Sequence, residues 1–354
     1  MGNQEGAPLR GSFAARFRNG QFASQDYQRM GEGIDFDLNG AFHVPRAGSP
    51  VDLVLDASLP KGEIVIGEHY GDLSKTRPTL AAEIRLHRKA HTLHLRSAGL
   101  VLDGVGAVGM EGRFSQAPRG VRATTRIEAG PIRLDALLDR VVRDGVGGLY
   151  PGIQEVTAAG TLSIVTDLDV EDGSYRARGR LDLVDALLND PSKGLSARKI
   201  DLNLPFSLSQ EEDPTPPGAL TVEGVDLKGL EIPKIHAQVL LAGNRLTLQE
   251  PMRIELAGGS LNISEFVLQG LDSTRRKGRA AVEIEGLELA PLAKAMAGKA
   301  IEGRLNGRFD ALTLEDGTWE AAGELGLRIR GGELLVQNIE LRAPSSGSPS
   351  GRCA

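Results

Sequence analysis

Residues 301–330 read IEGRLNGRFDALTLEDGTWEAAGELGLRIR, and the alternation in this stretch decides the fold. Ile301, Leu305, Phe309 and Ala311 fall on one side of an extended chain, against Glu302, Arg304, Asn306, Arg308 and Asp310 on the other. After the EDG turn signal, Trp319, Ala321, Leu325, Leu327 and Ile329 oppose Thr318, Glu320, Glu324, Arg328 and Arg330. A period of two with one apolar and one charged face is the pattern of an antiparallel strand wetted on one side.

Working outward, the block EDGTWEAAGEL (Glu315–Leu325) repeats EDGSYRARGRL (Glu171–Leu181). GRAAVEIEGLELAPLAKAMAG before the later copy answers VRATTRIEAGPIRLDALLDRV before the earlier one. Each copy therefore follows a strand and a short helix. Leu134, Leu137, Leu138, Val141 and Val142 set the first helix, and Leu289, Leu292, Ala293 and Met296 the second. A period of roughly 145 residues built from amphipathic strands implies units that bury their apolar faces against one another.

The rest of the chain reads as more of the same. Strands are expected at GIDFDLNGAFHV, PVDLVLDASL, EIVIGEH, LAAEIRLH, HTLHLRSAGLVLDG, GMEGRFS and PMRIELAGGSLNISEF. Turn signals stand at Asn19-Gly20, Asp103-Gly104, Asp172-Gly173 and Asp316-Gly317. The expected organisation is a disordered start (1–8), a β meander (9–120), a first repeat unit (121–209), a Pro/acidic loop (210–218), a second repeat unit (219–342) and a disordered or truncated tail (343–354). The fold class is mainly β: an elongated antiparallel sheet rolled into a U-shaped hydrophobic groove, with two or three short helices. A closed sandwich of two sheets has the same alternation.

Composition narrows the function. The 354 residues include 45 glycines but only 4% aromatics, and the net charge of −6 comes from acids and bases mixed along the chain. With no basic stripe in the sequence, nucleic acid is excluded as a partner. The only cysteine, Cys353, leaves no disulfide and no thiolate metal site. No run reaches the roughly 18 apolar residues of a membrane-spanning helix, and the first residues lack the zones of a signal peptide.

Three motifs resemble chemistry and fail on context. Gly104, Gly106 and Gly109 spell GxGxxG, but both flanks are strand-like, so a glycine-rich hairpin is the reading. His87, His91 and His94 lie among Arg88, Lys89 and Arg96, which oppose a cation, so they read as a hairpin tip. The carboxylate pairs Glu171-Asp172 and Glu315-Asp316 point to opposite faces and each precedes a turn glycine. No nucleophile elbow, phosphate loop or zinc-protease motif occurs, so no enzyme, catalytic residue, metal or cofactor is expected. The cationic run Arg275–Arg279 is a loop able to touch anionic headgroups.

The helix LAPLAKAMAGK, the strands from Ile301 to Leu341 and the closing GG-x-L-x-V-x-N step at Gly331 to Asn338 resemble the AsmA-like family of Gram-negative envelope proteins, above all its YdbH-like members. The resemblance is best from about Val121 to Leu341. It implies a β-groove in the periplasm, anchored in the inner membrane by a helix absent from this chain, that carries phospholipid between the inner and outer membranes. It also implies contacts with those membranes or their proteins through missing terminal segments. A "dicarboxylate transport" label attached to some members finds no convergent cations in the aliphatic faces. The expected groove lining is Met252, Ile254, Leu256, Leu261, Ile263, Leu305, Phe309, Trp319, Leu325, Leu327 and Ile329. The alternative from another class is a scaffolding β-protein of the envelope with a closed core and protein-binding edges.

Overall fold

Alternating apolar and charged side chains favour extended backbone, and in the computed structural model 74% of the described residues are strand. The structure describes residues 7–46, 48–117, 120–146, 151–209, 215–271, 276–297, 302–315, 318–329 and 332–344. The expected disordered start, Pro/acidic loop and tail fall largely on residues 1–6, 210–214 and 345–354, outside the described residues. The strands join one 22-stranded antiparallel sheet that does not close into a barrel. Two compact units divide the chain, Met1–Leu183 and Val184–Ala354.

In the first unit the strands are β1 (Leu9–Ala23), β2 (Arg29–Val44), β3 (Val51–Ile66), β4 (His69–Asp72), β5 (Thr79–His87), β6 (Thr92–Leu102), β7 (Gly106–Ala117), β8 (Gly120–Arg133) and β9 (Thr157–Glu171), with β10 (Ser174–Asp190) added to β9. Each pairs with its predecessor as a meander, except that β4 is a short return on β3 and β5 takes the next place beside β3. The second unit contains β11 (Leu195–Ser209), β12 (Gly218–Val222), β13 (Val225–Leu227), β14 (Leu230–Ile232), β15 (Ile235–Ala242), β16 (Arg245–Leu248), β17 (Met252–Leu256), β18 (Gly259–Gln269), β19 (Lys277–Glu288), β20 (Gly303–Glu315), β21 (Thr318–Ile329) and β22 (Gly332–Pro344). From β17 to β22 the order is again sequential and antiparallel.

Bulges interrupt the ladder in strand after strand. Register shifts occur at Phe17/Gly20, Glu32/Asp35, Leu95/Ala98 and Ala129/Ile132 in the first unit, and at Ser264/Val267, Ile284/Leu287 and Phe309/Ala311 in the second. Each extra residue bends its strand locally and raises the local twist. Two expectations change as a result. Asn19-Gly20 is no hairpin turn: Asn19, at φ 50, takes the bulge conformation inside β1, and its N–H donates to Asp35 Oδ1 at 2.9 Å. PVDLVLDASL and EIVIGEH, expected as separate strands, are one, because β3 runs on through Pro60-Lys61-Gly62. The Asp172-Gly173 signal does make a turn, with both residues at positive φ (49 and 88) between β9 and β10.

Helices occupy little of the chain. In the first unit α1 (Leu73–Thr76) follows β4, and α2 (Leu134–Leu137), a π-helical turn (Leu138–Val142) and α3 (Arg143–Val146) form one helical segment where the first helix is expected. The extra residue in the π turn rotates the face, so Leu138 is buried while Val141 is exposed. This segment runs along the ends of the strands: Arg140 Nη1 donates to the carbonyls of Lys75 (3.2 Å) and Asp103 (2.7 Å), and Lys75 pairs with Asp144 at 2.5 Å. In the second unit α4 (Leu289–Ala297) matches the second expected helix and lies against β20 and β14.

Candidate functional site

The pairing register gathers the apolar alternation into rows. In the second unit Ile254, Leu261, Ile284, Gly307, Leu325 and Val336 stand opposite one another across β17 to β22. Beside that row run Met252, Ile263, Val282, Phe309 and Gly323, and on its other side Leu287, Leu305, Leu327 and Leu334. The expected lining residues Met252, Ile254, Leu261, Ile263, Leu305, Phe309, Leu325 and Leu327 therefore share one face. Leu256 lies opposite Gly259, and Ile329 opposite Gly303, at the end of that face. Trp319 keeps its register place opposite Leu314. Ile301 lies outside the described residues. Ala311 changes sides: the bulge in β20 pairs it with Ala322, and Leu312 and Leu314 continue the apolar row instead.

The opposite face is charged and self-compensating. Arg253 bonds Glu255 (2.7 Å) and Glu285 (3.2 Å), Arg308 bonds Asp310 (2.8 Å) and Arg328 bonds Glu333 (3.4 Å). Such exposed pairs contribute little to stability and mark a solvated surface.

Equivalent rows cross the first unit. One runs Phe13, Gly40, Leu55, Ala82, Ala98, Met110, Ile127 and Thr166 over β1 to β9. Its neighbour runs Ala15, Leu38, Ala57, Leu80, Leu100, Val108, Ala129 and Ile164. None of these residues belongs to the expected lining. Their alternation is visible in sequence, but only the register shows that it forms the same kind of surface.

These rows are largely left outside a dry core, with Ile254, Leu287 and Ala82 their buried members among the described residues. Among the described residues only Ser207 (0% exposed) and Ser260 (1%) are fully enclosed, and most of the buried apolar residues of the strands are alanines. Phe13, Leu80, Leu100 and Leu334 remain exposed, and the larger apolar residues of the second unit's rows are mostly half-buried. Two sheets packed face to face would have removed that apolar surface from water.

Aromatic rings lie over glycines of the adjoining strand. A Cβ on Gly40 would meet Phe13 Cε1 at 2.6 Å, one on Gly11 Phe42 Cε1 at 2.6 Å, and one on Gly323 Phe309 Cδ1 at 2.7 Å. Leu325 Cδ1 sits likewise 2.9 Å from the Cβ place of Gly307. Large residues thus fill the hollows left by glycines and lie low on the sheet.

One polar feature is invisible without the register. His43, Asp52, Arg85, His94 and Arg113 face one another across β2, β3, β5, β6 and β7. Arg85 forks onto Asp52 at 2.7 and 3.0 Å, and Arg96 approaches the same carboxylate at 3.6 Å, which holds Asp52 below the usual carboxylate range. Burial, then Arg113 and His87, push the His94 imidazole down. The His87 and His94 rings are 5.0 Å apart. Residues far apart in the chain thus assemble a mixed polar row on the sheet, in which Asp52 is flanked by Arg85 and Arg96. Among the described residues no group of His, Cys, Asp and Glu is placed to hold a metal ion.

No protein-family model, curated protein or solved structure matches the chain. Among the described residues no helix is long and apolar enough to cross a membrane.

Proposed function

We propose that the apolar face is a lipid-carrying trough: it holds the acyl chains of phospholipid while headgroups stay in water, as part of a protein that passes lipid between the inner and outer membranes of a Gram-negative envelope. The observation that carries this reading is the set of apolar rows, continuous over neighbouring strands within each unit and left half-exposed. Each methylene taken from water contributes about 0.8 kcal/mol, so a row of aliphatic side chains holds a chain without any specific pocket. The charged face supplies the solubility that an open apolar sheet lacks. The resemblance to AsmA-like proteins supplies the membranes, the periplasmic location and the direction-neutral picture of a conduit.

Photo-crosslinking separates this reading from an envelope scaffold with a closed core. A photoreactive residue at Phe309 or Leu325, irradiated in the full chain after incubation with phospholipid vesicles, is expected to give lipid adducts. Links confined to the protein itself would reject the trough.

A further inference from the structure

We propose that the strand ends around the β5–β6 turn form a docking site for an anionic lipid head, with the attached chain entering the trough beside it. This inference rests on the lipid-carrying reading above and adds to it a place and a charge preference.

A cavity of about 630 Å³ opens at these strand ends, within the range of pockets that bind small amphiphiles. Leu86, Leu93, Phe114 and Val121 line one part of it, and the first three form a further apolar row of their own, where Leu86 faces Leu93 and Leu93 faces Phe114. His87, Arg88 and His91 line the other part. The turn itself, Arg88–Ala90 closed by His91 at φ 48, lifts Arg88, Lys89 and His91 into solvent beside the cavity mouth.

Charge at this end is not compensated. Asp52 is already taken by Arg85 and Arg96, and Glu171 by Arg122. Arg88, Lys89 and Arg113 have no acidic partner among the described residues. In a chain of net charge −6, this is a local inversion of sign. A bare anion would have no use for the aliphatic half of the cavity, and a neutral chain none for the cations. A phosphate-bearing lipid uses both.

The test uses the full chain, vesicles of a diacyl phosphatidylglycerol or of phosphatidylcholine, and extraction of a fluorescent tracer of each lipid. The exposed double variant R88Q/K89Q should lose phosphatidylglycerol uptake by roughly 25-fold, about five-fold for each cation, with phosphatidylcholine uptake unchanged. Val121→Asp should lower uptake of both, and millimolar inorganic phosphate should not compete. If R88Q/K89Q keeps the wild-type preference, or inorganic phosphate competes fully, the docking site is overturned while the trough stands. If the wild-type chain takes up neither lipid, both readings fall.

Discussion

Leu325→Asp isolates the apolar face from the fold that carries it. Leu325 sits mid-row between Gly307 and Val336 and is half-exposed. Complete burial of a leucine contributes about 1.5–3 kcal/mol, so a half-exposed one forfeits about 1 kcal/mol on replacement, and the poor strand preference of aspartate adds up to about 1 more. The carboxylate stays hydrated on the open face, so a total near 2 kcal/mol leaves a domain of ordinary stability folded. An acyl chain crossing the row loses contact with about three methylenes, about 2.4 kcal/mol at 0.8 each, which weakens binding roughly 60-fold. The neighbour Glu324 points to the charged face, where Glu324→Gln should change stability and uptake negligibly. The assay is extraction of fluorescent phospholipid from vesicles, with circular dichroism and thermal melting as checks on folding. A folded Leu325→Asp variant that takes up lipid within about two-fold of wild type would refute the reasoning.

Leu55→Asp, in a first-unit row, should weaken lipid uptake as Leu325→Asp does, measured in the same extraction assay. Gly323→Ala should destabilise by about 1–3 kcal/mol in chemical unfolding, because its Cβ would lie 2.8 Å from Phe309 Cα, whereas Gly99→Ala, with open space around it, should be neutral or slightly stabilising. Asp52 has its pKa depressed by Arg85, so its contribution to stability is present above the ordinary carboxylate pKa and is lost as pH falls through the folded value. Melting curves of wild type and Asp52→Asn should therefore differ near neutrality and converge below about pH 4; parallel curves would reject the linkage. Arg140→Ala removes both hydrogen bonds that Nη1 donates to the Lys75 and Asp103 carbonyls, and hydrogen exchange in residues 73–77 and 102–105 should speed up while the strands of the second unit stay protected.

Strand existence and face were legible because the side-chain period of two survives in one sequence: Leu305, Phe309, Leu325 and Leu327 meet where alternation puts them. Bulges were not legible, since one inserted residue looks like a turn signal (Asn19-Gly20) or passes unnoticed (Ala311) until the partner strand sets the register. The same limit hid the polar row, whose members Arg85, His94 and Arg113 meet only after three strands pair. It also confined the expected lining to the second unit. Phe13 and Leu55 alternate as plainly as Leu325, but a row exists only once neighbouring strands are aligned.

The glycine content follows from the same geometry. A sheet whose apolar face remains open must avoid both deep holes, which forfeit contacts, and standing rings, which obstruct anything lying on the face. Setting Phe13 over Gly40, Phe42 over Gly11 and Phe309 over Gly323 meets both demands, because each ring lies in the space its cross-strand partner leaves empty. For the proposed passage of lipid this evenness governs rate. A chain moving from one row to the next is held back by the difference in binding between rows, and each 1.4 kcal/mol of unevenness slows the step about ten-fold. Rows of aliphatic side chains with rings laid flat keep that difference small, whereas a single well-shaped pocket would trap the lipid it bound. A few aromatics spread over many glycines therefore suit a surface used along its length, and the proposed docking cavity lies at the strand ends, where a head can be held without stopping the chain.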